Sequence, residues 1–366
     1  MNQSDVMQAI QVALEADVPV LLWGEPGVGK TASVNALASS LGWPIETVLA
    51  SLREPSDFAG LPVVIDGDMR FAPPDWARRL AGADRAICFF DEISTATPSV
   101  QKALLRVVHE RVVGDLSMGS GVRMIAAANP AEVAAGGWDL SAPLANRFCH
   151  LEWPIDARVI AVGLTGSWPA AVQLSIPEDW QDHCGRTAAV ISGFLMARPH
   201  LVHSRPPEES AAGRAWPSPR SWDALIRVLT VADRAGVSAD ARLALAAGLV
   251  GDGTAVEFAA YERDLDLPDP EKLLADPKSY QRPQRDDQVH AVVAAVVDAA
   301  LRNITPARWV ASLDVMTTIA EQGNVDIAAG GLRRLTPAWP TGAEPPEGLS
   351  VFGDILQHIG IIPNAA

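Results

Sequence analysis

The segment Gly24-Glu25-Pro26-Gly27-Val28-Gly29-Lys30-Thr31 constrains this chain more than any other. Its glycines cannot extend a strand or a helix comfortably, yet regular structure is written on both sides. Val18 to Trp23 is a short apolar run ended by glycine, the pattern of a buried parallel strand. Thr31 to Leu41 has helical spacing and stops at Gly42. Strand, glycine turn and helix in direct succession make a βα unit and predict an α/β domain with a parallel sheet.

The rest of the N-terminal half agrees. Val6, Ile10, Ala13 and Leu14 mark a helix before the first strand, with Ser4 as its expected N-cap. Ile45–Leu49, Ala86–Phe90 and Met124–Ala128 read as further strands, so four are expected. Pro98 to Glu110 is helical, with Val100, Ala103, Leu104, Val107 and Val108 on one face. Residues 54–75 are rich in Pro, Gly and Asp, with a hairpin expected around Asp66-Gly67. Arg111 to Val122 reads as a second hairpin with its tip at Gly119-Ser120-Gly121. After Pro154 the character changes to helical patterns at 157–164, 187–197, 221–235, 240–250 and 288–302, separated by Pro-rich breaks. The stretch 264–285 is charged and Pro-rich and reads as a link to further helix, and 336–350 as a loop before a last short element.

Composition narrows the classes. With 29 basic against 44 acidic residues the net charge is −15, so the chain as a whole has no attraction for nucleic acid or an anionic membrane, although a local basic patch stays open. Only Lys30, Lys102, Lys272 and Lys278 are lysines; the lysine of the glycine turn is one of few. Cys88, Cys149 and Cys184 are far apart and odd in number, which points to a reducing compartment. The first basic residue is Lys30, so no signal peptide is expected, and the most apolar long run, Val289 to Leu301, is broken by His290 and Asp298. A cytoplasmic protein without membrane insertion is the expectation. His183, Cys184, His200 and His203 fit no common zinc spacing and read as loop residues, and the scattered tryptophans as core and loop anchors.

The glycine turn matches G-x-x-x-x-G-K-[ST], with the strand and helix that motif requires. Backbone N–H groups of residues 24–29 would turn inward on phosphates, at the positive end of a helix. Lys30 would reach the β- and γ-phosphates, and Thr31 would place its hydroxyl on Mg²⁺. About sixty residues on, the strand Ala86–Phe90 ends in Asp91-Glu92. Asp91 sits where a second carboxylate of the Mg²⁺ shell belongs. Glu92, one residue further, would face the other side of the strand tip and polarise a water. A strand ending in two solvated acids is the plainer alternative, and the phosphate loop upstream weighs against it.

Together with these, four more stretches carry a resemblance to a known family: REPSDFAG, MIAAANP, APLANRF and PSPRSW, in the order and spacing of the AAA+ ATPases and, within them, the MoxR group. The resemblance covers residues 4–155 closely and 155–250 loosely. It implies a P-loop AAA+ core with a parallel sheet over 1–154, an all-helical lid over 155–263, and a further helical C-terminal region over 264–366. It implies that ATP and Mg²⁺ are bound, that Asn129 is sensor 1 and orients the attacking water, that Arg147 is a finger reaching a neighbouring subunit's nucleotide, and that Arg220 is sensor 2, acting in cis or in trans. It also implies that Glu54–Gly60 with the hairpin after it, and the hairpin 111–122, look towards a central pore. A polar switch residue is expected after the second strand, where Ser51 is the nearest candidate. The segment Ser141–Asn146 departs from the family's usual acidic and Gln residues. The implied protein is a homo-oligomeric ring, six subunits being the expected number, that remodels a protein client in chaperone-like fashion, with a von Willebrand A domain protein as partner. A helicase-loader type of machine and a nucleotide-gated scaffold with little turnover are the alternatives.

Overall fold

The computed structural model describes residues 1–130, 137–166, 168, 174–265, 267–344 and 346–353. In chain order these form α1 (Gln3–Glu15), β1 (Val20–Trp23), α2 (Lys30–Leu41), β2 (Ile45–Leu49), α3 (Ser56–Ala59), β3 (Leu61–Ile65), β4 (Asp68–Ala72), α4 (Asp75–Ala81), β5 (Ala86–Asp91) and α5 (Pro98–Glu110). There follow β6 (Val112–Val113), β7 (Leu116–Ser117), β8 (Val122–Ala128), α6 (Ala142–Ala145), β9 (Cys149–Glu152), α7 (Ala157–Leu164), α8 (Cys184–Ala197), α9 (Glu209–Ala212), α10 (Pro219–Ala235) and α11 (Ala239–Val250). Helices α12 (Asp252–Arg263), α13 (Pro270–Ala275), α14 (Asp286–Arg302), α15 (Pro306–Glu321) and α16 (Val325–Leu335) complete the order. The last short element expected after residue 350 falls largely on 354–366, outside the described residues.

Five parallel strands form one sheet in the order β2-β5-β8-β1-β9. β1, β5 and β8 are almost wholly buried, which explains their continuous apolar runs. The fifth strand, β9, is absent from the sequence reading. It has four residues and contains His150, whose polar ring is buried because two neighbours satisfy it. The first helix starts earlier than expected. Asn2, not Ser4, is the N-cap, in a capping box where Asn2 and Asp5 exchange side-chain to backbone bonds at 3.0 Å each way.

Under the sheet, Phe58, Trp76 and Phe90 meet edge to face with centroids 6.0–6.3 Å apart. Phe58 belongs to α3, so this cluster roots the inserted segment in the core. From α3 rises the antiparallel hairpin β3–β4, with Leu61, Val64, Ile65 and Met69 all more than half exposed. The second hairpin, β6–β7, turns at Gly114-Asp115 and not at Gly119–Gly121, because only Val112–Ser117 and Val113–Leu116 pair. The two hairpins are stitched together. Asp115 accepts the Phe71 N–H on its carboxylate at 2.8 Å and gives its own N–H to the Phe71 carbonyl at 2.9 Å. Gly60 and Gly114, both with positive φ, lie so close that a Cβ on Gly60 would stand 2.6 Å from the Gly114 Cα.

The chain divides into two compact units, residues 1–178 with 201–257, and 179–200 with 258–366. The helical segment expected as one body over 155–263 is therefore split. In the first unit, α11 packs on α1 and on β9, and Gly248 lets it approach closely: a Cβ there would lie 2.3 Å from the His150 carbonyl. In the second unit, α8 packs along α14 beside α13, α15 and α16. That core is built on Val289, Val292, Val296, Leu313, Met316 and Trp309. No helix among the described residues is long and apolar enough to cross a membrane.

Candidate functional site

The site assembles where β1, β5 and β8 end, the edge at which parallel sheets present loops and helix N-termini to ligands. Gly27 and Gly29 adopt φ of +80° and +88°, which turns the loop back on itself before α2 begins. No side chain caps α2, so its first-turn N–H groups stay open for an anion. Lys30 is nearly buried. Its ammonium donates to the carbonyls of Gly24 (2.5 Å) and Glu25 (2.9 Å) and to Oδ1 of Asn129 (3.0 Å). All three acceptors are neutral. They fix the ammonium without cancelling its charge, which suits it to a phosphate. Burial lowers the Lys30 pKa, while the nearby charges of Asp91 and Glu92 act to raise it.

Thr31 donates from Oγ1 to Asp91 Oδ2 at 2.8 Å. The other Asp91 oxygen accepts the Glu92 N–H at 3.0 Å, so the carboxylate is held at both ends. Thr31 and Asp91 thus supply a paired hydroxyl and carboxylate, the hard oxygen donors that Mg²⁺ takes in small number beside phosphate oxygens and waters. The residues present fit that ion. No group of three or more His, Cys, Asp or Glu side chains placed to hold a metal occurs among the described residues. His183 instead meets the Asp179 carbonyl at 3.1 Å, and His203 packs edge-on against Trp216.

Glu92 is placed by backbone conformation more than by strand alternation. It has left β5 and sits at φ +55°, ψ +39°, a left-handed conformation that costs a non-glycine residue on the order of 1 kcal/mol. Its Oε2 accepts from the Ser51 hydroxyl at 2.8 Å. Ser51 follows β2, whose last residue, Leu49, lies in register with Asp91. Asn129, just past β8, is steadied by its own N–H, which donates to Ser94 Oγ at 3.1 Å.

Arg147 and Arg220 form a second cluster. Arg147 follows α6 and donates from Nη1 to the Pro143 carbonyl at 2.5 Å; its Nε is shielded from water and has no hydrogen-bond partner among the described residues. Burial, and then the like charge of Arg220, lower the Arg147 pKa. The two arginines are brought together by Asn146. Its Nδ2 donates to the Trp216 carbonyl at 3.1 Å, and its Oδ1 accepts from Ser218 Oγ at 2.7 Å, just ahead of Arg220 in the first turn of α10. His150 adds a brace: its Nδ1 accepts from Trp23 Nε1 at 2.9 Å, so its Nε2–H donates to the Ala145 carbonyl at 2.9 Å. Burial pushes the His150 pKa down to about 4.

The structure therefore gathers Lys30, Thr31, Asp91, Glu92 and Asn129 into one cluster and Arg147 with Arg220 into another. Sequence reading missed Ser94, Asn146, His150 and Trp153. Of these, Asn146 lies in the motif Leu-Ala-Asn-Arg-Phe and Ser94 just after Asp91-Glu92. Trp153 braces the phosphate loop, donating from Nε1 to the Val28 carbonyl at 3.2 Å and packing against Gly24.

A five-stranded parallel sheet in this order, with a phosphate loop after its fourth strand in the row and an Asp-Glu pair two strands away, defines a P-loop nucleotide-binding module of the AAA+ class. The comparisons agree: residues 19–148 match the AAA domain family, dynein-related subfamily. Two curated relatives are named Protein MoxR. One, from Methylorubrum extorquens, is 34% identical over 114 residues, covering 31% of this chain and 33% of that protein. The other, from Paracoccus denitrificans, is 37% identical over 94 residues, covering 25% and 27%. Protein NorQ of Paracoccus denitrificans is 28% identical over 136 residues, 35% of this chain and 50% of that protein. Residues 19–148 thus form an AAA+ domain similar to those of the MoxR proteins. The matched stretch spans about a third of the MoxR relatives' length.

Proposed function

We propose that this protein hydrolyses Mg-ATP at the interface between two copies of itself and uses the cycle to remodel a protein client. The observation that carries the reading is the convergence of Lys30, Thr31, Asp91, Glu92 and Asn129 on one strand edge. Lys30 and the loop amides of Gly24–Thr31 hold the phosphates. Thr31 and Asp91 would hold the ion, which would supply positive charge against the phosphates when bound. Glu92 polarises the attacking water, Asn129 orients it, and Ser51 holds the Glu92 carboxylate back until nucleotide is seated.

Arg147 and Arg220 are assigned together to the neighbour's γ-phosphate. Their support is mutual: Arg220 is the charge that bears on Arg147, whereas Asp91 and Glu92 are the charges that bear on Lys30. Two guanidiniums side by side repel unless an anion sits between them. A ring of copies supplies that anion to each member, with six as the proposed number. A protein client suits the β3–β4 hairpin, which offers exposed apolar residues with Asp66 and Asp68 at its tip. A von Willebrand A domain partner and a cytoplasmic location belong to the same proposal.

The test is Glu92→Gln. This variant should bind ATP as the wild type does and release no phosphate above background, while the wild type turns over. Full turnover by Glu92→Gln would sink the assignment. Nucleotide binding with no turnover in the wild type would favour a nucleotide-gated scaffold.

A further inference from the structure

A second tryptophan touches the phosphate loop, and its setting differs from that of Trp153. A Cβ added to Gly163 of α7 would lie 2.7, 2.7 and 2.8 Å from Cδ2, Cε2 and Cε3 of Trp168. A point so nearly equidistant from three adjacent ring carbons lies over the face of the ring. A Cβ added to Gly29 would lie 2.6 and 2.8 Å from Cη2 and Cζ3 but 3.7 Å from Cζ2, so it lies off the ring's outer edge. The indole is laid flat on one glycine and abuts the phosphate loop at another. Any larger side chain at either position would displace it.

Trp153 is a brace: it is buried, and its N–H is spent on Val28. Trp168 is only half-buried. A half-exposed aromatic plate at the rim of a phosphate loop has one planar ligand within reach. Phosphates seated against Gly29 and Lys30 leave the attached nucleoside to emerge at that rim. Aromatic side chains hold bases by stacking, largely without regard to base identity.

We infer that Trp168 is a binding residue on which the base of the bound nucleotide stacks. The inference rests on the nucleotide reading of the phosphate loop given above. It assigns base affinity to an aromatic contact, separate from the phosphate affinity of Lys30.

The experiment compares dissociation constants of Mg-ATP and of inorganic tripolyphosphate with Mg²⁺ for wild type, Trp168→Ala and Trp168→Phe. Stacking predicts that Trp168→Ala weakens ATP on the order of 10-fold or more. Tripolyphosphate, which has no base, should change by less than about twofold, and Trp168→Phe should keep most of the ATP affinity. Equal weakening of both ligands would overturn the inference, because the ring would then act only as a prop for Gly29. Unchanged or tighter ATP binding by Trp168→Ala would overturn it too, the latter by showing that the ring blocks the site. If wild type binds neither ligand, the nucleotide reading itself fails, which is a different result from a failure confined to Trp168.

Discussion

Lys30 and Arg147 are both shielded cations at the edge of one fold, and they are housed in opposite ways. Lys30 has three neutral oxygens on its ammonium and two carboxylates near by. Among the described residues Arg147 has one carbonyl, a shielded Nε with no partner and a second arginine as its neighbour. The first arrangement is satisfied within one chain. The second is short of negative charge. Proteins seldom leave a shielded donor unpaired, so such a group calls for a partner. On the proposed function, Lys30 and Arg147 would stand on the two sides of a site shared between copies of the chain.

The largest expected effect breaks the Arg147 side. Arg147→Ala should lower kcat on the order of 1,000-fold, as loss of an arginine finger does, while ATP binding stays within about threefold. The Lys30 side comes next. Lys30→Ala should weaken ATP by at least about 100-fold, since charge-assisted bonds to phosphate are lost. Mixing the two inactive variants sharpens the comparison. A site formed from the Lys30 of one variant and the Arg147 of the other is intact, so phosphate release should return in the mixture. A mixture as inactive as its components would show that both cations act within one chain.

The smallest effect concerns His150, which braces the residue two before Arg147. Its folded pKa, about 4, lies below the ordinary 6.5. The unfolded chain therefore binds the extra proton between those values, and the stability His150 contributes is present above pH 6.5 and lost as pH falls towards 4. At pH 5 the loss is about 2 kcal/mol. Thermal unfolding at pH 7 and pH 5 checks this: wild type should lose more Tm between the two than His150→Gln, which cannot take up the proton. Equal losses would remove the brace from the account.

What could be read from the sequence follows from how far apart the interacting residues are. Gly24–Thr31 is legible because one phosphate chain is wrapped by consecutive residues. Asp91 and Glu92 are legible because the phosphate loop upstream gives two acids at a strand end a use; without it they would read as solvated acids. β9 is not legible: His150 is tolerated inside a strand only because Trp23 and Ala145 satisfy its ring. The meeting of Arg147 with Arg220 depends on Asn146 bonding to Trp216 and Ser218, some seventy residues away. The hairpin tip was expected at Gly119–Gly121 because glycines announce turns. Gly121 is instead needed for a close pass, since a Cβ there would lie 1.7 Å from the Asp84 carbonyl. Trp168 carried no signal at all, being one of eleven tryptophans.

The stitch between the two hairpins bears on which insertions and deletions this fold can accept. Surface loops usually tolerate changes of length, because their ends are all that the fold holds. Here the middles are held as well. Asp115 reads both backbone groups of Phe71, and Gly60 meets Gly114 with no space for a side chain. One residue added at the base of the first hairpin, beside the Pro62–Phe71 pair, would carry Phe71 out of step with Asp115, and one added between Arg111 and Asp115 would do the same from the other side. The lengths of β3–β4 and β6–β7 below the stitch are therefore not free to drift separately. Residues beyond it, at the Asp66-Gly67 turn, can vary in number without disturbing either.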